Sequence, residues 1–235
     1  MEKFHSVIQP DFHEVFNKDH KLKGKWNTLI FKNKNPIILE LGCGKGEYSI
    51  GLAEKFPSKN FIGIDIKGAR IWRGSKTVIE KGLNNVVFLR TRIEVINSFF
   101  STNEISEIWL TFPDPQKNKA KKRLNSPPFL NRYKEFLVDK GIIHLKTDSL
   151  LLYLYNQAII KENNLNCLIS TRNIYSEEYE GAEYSIRTFY EKQFLEKDKL
   201  INYQKFQLAG DKKIIEPENF LFSEYMENES NEKGS

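Results

Sequence analysis

Pro36-Ile-Ile-Leu-Glu-Leu-Gly-Cys-Gly-Lys-Gly46 is the stretch on which the fold turns. An apolar run breaks into three glycines at alternate positions, and a second run, Phe61-Ile-Gly-Ile-Asp65, closes on a carboxylate about twenty residues later. Glycine lets a chain turn sharply out of a strand and lets a ligand come close to the backbone. A carboxylate ending the next strand can accept hydrogen bonds from both ribose hydroxyls. Together they specify a nucleoside-cofactor pocket. The spacing excludes the dinucleotide fingerprint G-x-G-x-x-G, which needs glycine at 47 where this chain has Glu47.

Outward from that turn, short apolar runs alternate with amphipathic segments, the pattern of βα units. Strands are expected at 36–41, 60–66, 86–90, 105–111, 141–147, 166–171 and 200–208, and helices at 47–56, 68–82, 93–100, 127–139 and 149–162. The expected fold is α/β: a mostly parallel seven-stranded sheet with helices on both faces. The last two strands lack a convincing crossover helix and read as an antiparallel hairpin. Residues 1–35 read as an N-terminal arm, 36–222 as the domain, and the polar stretch 223–235 as a disordered tail. Trp26, Trp72 and Trp109 read as core residues.

The net charge of +5 is compatible with a polyanion partner without requiring one. Two cysteines, Cys43 and Cys167, provide neither a disulfide framework nor a zinc quartet. The four histidines have no metal-ligand spacing, so no metal is expected. With no apolar run of membrane-spanning length and no secretory signal at Met1-Glu-Lys-Phe-His, the expected setting is the cytoplasm.

Several constellations carry chemistry. Glu40 stands two residues before Gly42 and is either a ligand for a cofactor amine or a solvated strand-end carboxylate. Asp65 is either the ribose acceptor or an N-cap for the next helix. Ile108-Trp-Leu-Thr-Phe-Pro-Asp-Pro115 runs a strand into a turn whose prolines stiffen the backbone around Asp114. The alternative is a proline-rich turn with an exposed aspartate. In the following run, Lys117, Lys119, Lys121, Lys122 and Arg123 sit where they can neutralise phosphates at the pocket rim, unless the run is simply a solvated loop. Lys146 and Asp148 end another buried strand. Thr188-Phe-Tyr-Glu191 reads equally as a helix start. His144 reads as a packed histidine.

The series Leu-Gly-Cys-Gly-Lys-Gly, Gly-Ile-Asp, Phe-Pro-Asp-Pro with its basic run, Lys-Thr-Asp and Thr-x-x-Glu resembles the bacterial tRNA (guanine-N7-)-methyltransferase family across residues 36–208. The glycine turn alone looks like motif I of class I methyltransferases, whose fold is Rossmann-like. The resemblance implies S-adenosyl-L-methionine as cofactor and tRNA as partner, with no obligate protein partner inferred. It implies cofactor contacts from Glu40, Gly42, Gly44, Gly46, Asp65, Arg92 and Asp114, with Asp114 also catalytic. It implies guanine and tRNA contacts from Lys117, Asn118, Asp148, Thr188, Phe189, Tyr190 and Glu191. The chain departs from the family pattern at Arg92, where many members carry an acid, and at Asn118, where lysine is common. Rival readings are a nicotinamide-dependent oxidoreductase, a catalytically silent RNA-binding protein on the same fold, and a methyltransferase acting on rRNA, protein or a small molecule.

Overall fold

The computed structural model describes residues 6–176, 179, 181–210, 212–218 and 220; the expected tail at 223–235 lies outside them. The strands are β1 (Val7–Ile8), β2 (Ile37–Leu41), β3 (Asn60–Asp65), β4 (Val86–Arg90), β5 (Ile105–Thr111), β6 (Leu137–Thr147), β7 (Cys167–Thr171) and β8 (Asn202–Leu208). The helices are α1 (Phe12–Val15), α2 (Glu47–Lys55), α3 (Gly68–Glu80), α4 (Pro127–Lys134), α5 (Leu150–Glu162) and α6 (Phe189–Leu195). One sheet runs β1-β4-β3-β2-β5-β6-β8-β7, parallel except where β8 pairs with β6 and β7.

All seven expected strands form, and an eighth joins them: β1 lies beside β4 through Val7 opposite Phe88 and Ile8 opposite Leu89. Two residues are too few to write an alternating pattern, so this strand left no signal. The helix expected at 127–139 ends at Lys134 because β6 begins at Leu137. Lys140, at φ 56°, and Gly141 lie within a bulge, where β6 advances from Leu137 to Ile142 while β5 advances only from Ile105 to Glu107. The helix expected at 93–100 is a 3₁₀ segment, Ile93–Ser98. Trp72 is 47 % exposed on α3 and is not a core residue.

Strand alternation assigns each residue to a face. Leu39, Ile62, Leu110, Ile143 and Leu145 pack with Tyr133 of α4, Tyr155 of α5 and Trp26 of the N-terminal segment. Trp26 is completely buried, and its indole N–H donates to the Phe99 carbonyl at 2.8 Å. Ile38, Phe61, Trp109 and Tyr203 pack on the other face with Ile50 of α2 and Ile71 of α3. Glu40, Thr111 and Lys146 share that second face by the same alternation. Because the strand order reverses on either side of β2, a crevice opens beyond the C-terminal ends of β2 and β5.

Candidate active site

In that crevice the glycine turn leaves β2 with the Gly42 and Cys43 amides donating to the Ile64 carbonyl, at 2.8 and 3.0 Å. Gly46 caps α2 at φ 69°, and a Cβ there would sit 2.2 Å from the Phe88 ring, so only glycine fits. At Gly44, φ is 58° and nothing lies within 4 Å of where a Cβ would be, which leaves backbone open to a ligand. Asp65 holds the turn in place: Oδ2 accepts from the Gly44 amide at 2.9 Å and Oδ1 from the Lys67 amide at 2.8 Å. Its carboxylate thus braces the glycine turn and the entry to α3 together.

Glu40 is buried at 3 % exposure, which overturns the solvated alternative. It accepts from the Ser49 amide at 2.8 Å and from the hydroxyls of Ser49 and Thr111. Burial pushes its pKa up to about 7 against those three hydrogen bonds. Thr111 was not foreseen as part of the site, although strand alternation puts it on the face of Glu40.

β5 leads directly into Phe112, whose φ is 47° while its amide still donates to the Lys146 carbonyl at 2.8 Å. A non-glycine residue in left-handed geometry costs on the order of 1 kcal/mol, so the surrounding contacts enforce it. The Asp114 side chain beyond it is exposed and accepts from the Gln116 amide at 2.9 Å. Arg123 does not belong to the exposed basic rim: at 3 % exposure it stacks on Tyr155 and donates to the carbonyls of Pro115 and Lys117, at 3.1 and 3.4 Å. Lys117, Lys119, Lys121 and Lys122 remain exposed.

Two cavities meet over these elements. The first, about 130 Å³, is lined by Glu40, the glycine turn, Thr111, Phe112, Thr188, Phe189 and Tyr190. The second is a cleft of about 700 Å³ running over Phe112, Asp114, Lys117, Asp148, Tyr190 and Lys199. Phe112 and Tyr190 line both. The two cavities therefore share one junction, with the glycine turn on one side and Asp114 on the other.

The profile of the family described as "Putative methyltransferase" matches residues 34–203. A tRNA (guanine-N(7)-)-methyltransferase of Christiangramia forsetii is 52 % identical over 210 residues, covering 88 % of this chain and 94 % of that one. The chain belongs to the tRNA (guanine-N(7)-)-methyltransferase family. A relative of the same description from Bacteroides fragilis is 47 % identical, covering 93 % of this chain and 86 % of its own. Among solved structures, the 16S rRNA methyltransferase KamB superposes with a TM-score of 0.61 at 11 % identity, over 81 % of this chain and 96 % of that one. At that identity the likeness is one of fold: a class I methyltransferase fold, as the sequence implied.

Against the family pattern, Glu40, Gly42, Gly44, Thr188, Phe189 and Tyr190 gather around the smaller cavity, and Asp114, Lys117, Asp148 and Tyr190 around the larger. Gly46 is buried beneath the turn against Phe88. Arg92 is exposed at the end of the β4 segment, 5.7 Å from the Phe12 ring, and lines neither cavity. Asn118 is exposed and lines neither cavity. Thr188 and Glu191 form a capping box at the start of α6, and Glu191 is fully buried. The cleft wall formed by Arg172, Phe194, Lys199 and Asn202 had no signal in the sequence.

Proposed function

We propose that this protein transfers the methyl group of S-adenosyl-L-methionine to N7 of a guanine in tRNA. The observation that carries the reading is the junction of the two cavities at Phe112 and Tyr190, which puts the glycine turn and Asp114 on either side of one passage. The donor fits the smaller side: open backbone at Gly44 for close approach, and a buried Glu40 carboxyl with no ion-pair partner among the described residues, suited to an ammonium group. Asp65, beside the Gly44 amide, is the ribose acceptor. When bound, S-adenosyl-L-methionine supplies an electrophilic sulfonium methyl.

Guanine N7 has a lone pair and no proton, so the protein needs no general base; it must align the base and offset the positive charge that develops on it. Asp114 meets both demands. Its carboxylate accepts from the guanine N1–H and 2-amino group, and the prolines on either side, with Arg123 holding the carbonyls of Pro115 and Lys117, keep it from drifting. Tyr190, at the junction, flanks the base, Asp148 and Lys117 border it, and the exposed lysines 117, 119, 121 and 122 meet the tRNA backbone, while Phe189 stays on the donor side. The modified guanine is in the variable loop, by family resemblance, and the reaction is cytoplasmic.

The test is labelled methyl transfer from S-adenosyl-L-methionine to unmodified bulk tRNA, followed by chemical cleavage at N7-methylguanine. Label with cleavage at a guanine is the expected result. Folded protein that leaves tRNA unlabelled sinks the assignment, and label without cleavage redirects it to another atom.

A further inference from the structure

Lys146 ends β6 inside the protein with no exposed surface, and its ammonium lies 2.8 Å from Oε1 of the equally buried Glu191. It donates to the Ile186 carbonyl at 3.0 Å and the Tyr175 hydroxyl at 3.1 Å, and the rings of Tyr48 and Tyr175 stand 5.1 and 5.3 Å away. The Tyr175 hydroxyl in turn donates to Glu191 Oε1, and Glu191 Oε2 accepts from the Thr188 amide. Both carboxylate oxygens are therefore occupied inside the protein. A buried lysine costs several kcal/mol of desolvation that its partner only partly returns, so such a pair is poor scaffolding compared with apolar packing.

What the pair holds is specific. Glu191 caps α6, and the two residues between Thr188 and Glu191 are Phe189 and Tyr190, half-exposed side chains that roof the smaller cavity and its junction with the cleft. The segment is fastened to α2 where the Phe189 amide donates to Glu47 at 2.8 Å, and the turn at 182–185 before it where the Tyr48 hydroxyl donates to the Glu183 carbonyl at 2.9 Å. Glu47 and Tyr48 directly follow the glycine turn. Resting on the proposed function, we infer that Lys146 and Glu191 are positioning residues, a buried clasp between β6 and α6 that sets the Phe189–Tyr190 roof over the methyl donor, and that Glu191 acts on the donor through this clasp and not by touching guanine.

A single replacement leaves a buried charge unpaired and tests folding more than positioning, so the main variant is K146M/E191Q, which removes both charges, keeps the shape of Glu191 and shortens Lys146 by one heavy atom. Its affinity for S-adenosyl-L-methionine, measured by calorimetry without tRNA, is expected to fall at least about tenfold. KM for the donor is expected to rise to match, while kcat at saturating donor changes less than about threefold. Hydrogen exchange at residues 186–195 is expected to quicken while β2 and β5 stay protected. Y175F, which removes one hydroxyl and no charge, is expected to weaken donor binding in the same direction by a few-fold, and it serves if the double variant does not fold. Unchanged donor affinity in folded K146M/E191Q, or in Y175F where only that variant folds, overturns the clasp. So does a fall in kcat with donor affinity intact, which is the signature of direct guanine contact by Glu191. Failure of the wild-type protein to methylate tRNA while it binds donor overturns the proposed function and leaves the clasp standing.

Discussion

The face of the sheet beneath α2 carries a carboxylate near each end, Glu107 partly buried and Glu40 fully so, and the two are treated in opposite ways. Toward the N-terminal ends of the strands, Glu107 receives Lys59 at 2.8 Å and the His144 Nε2 at 3.0 Å. His144 is itself stacked on Trp109 at 3.8 Å with Tyr203 on its other nitrogen, and burial pushes its pKa down, so a neutral ring donates to Glu107. Burial alone would raise the Glu107 pKa, but the His144 hydrogen bond and Lys59 override it and lower the value to about 2. At the other end, Glu40 has only neutral N–H and O–H donors and is raised to about 7. One end of the face is completed by its own cation. The other is left short of one, as a site awaiting a positively charged ligand would be.

The largest expected effect falls on the exposed carboxylate across the cavity junction. Asp114→Asn removes the acceptor for guanine while conserving shape and the Gln116 amide contact, and kcat for methyl transfer should fall at least about a hundredfold with donor affinity unchanged. Full turnover in this variant would leave the functional end with no carboxylate that acts on the substrate.

Stability tests the comparison directly, because the pKa values of the two carboxylates shift in opposite directions. Glu107 is depressed in the folded state, so its contribution is present above pH 4.5, the ordinary value, and is lost as pH falls toward 2. At pH 7, where His144 is neutral, the hydrogen bonds to His144 and Lys59 remain, and Glu107→Gln should lower unfolding free energy by on the order of 1–2 kcal/mol in urea titrations. Glu40 is raised, so the protein is more stable with it below pH 4.5 and loses that advantage as pH climbs to about 7. Glu40→Gln should therefore flatten stability between those pH values and, at pH 8, recover up to about 3 kcal/mol while weakening donor binding. A variant destabilised at pH 8 would mean that the ionised Glu40 has a compensating partner after all.

How much of this was legible depended on whether a residue's role is local. The glycine turn could be read because Gly46 and Gly44 answer to backbone geometry; Asp65 could be read as a carboxylate needing partners, but not that the Gly44 and Lys67 amides supply them. Phe-Pro-Asp-Pro announced a stiff turn, but phenylalanine carries no mark of a left-handed φ at position 112. Within Lys121-Lys122-Arg123 nothing in the order of charges tells that the arginine turns inward onto Tyr155, more than thirty residues away along the chain. The partner of Lys146 lies on a helix between β7 and β8, and burial of both charges is a property of the folded packing alone. Thr-x-x-Glu was readable as a capping box, and the structure contains one; what it caps became visible only with Phe189 and Tyr190 over the cavity.

The smallest effect is the most specific to the uncompensated end. If an ammonium group of the donor completes Glu40 as Lys59 completes Glu107, binding must draw Glu40 into its ionised form. Below about pH 7 that form is the minority, so binding releases a proton and affinity climbs with pH by at most about tenfold per unit, levelling off above pH 7. Calorimetry at pH 6 in two buffers of different ionisation enthalpy should register a release approaching one proton, falling to about half or less at pH 7, below the range where the donor's own amino group loses its proton. In Glu40→Gln the release should vanish at both pH values while residual binding loses its pH dependence. Equal proton release by wild type and Glu40→Gln would assign the titration to another group and remove the cation-deficient carboxylate from the account of donor binding.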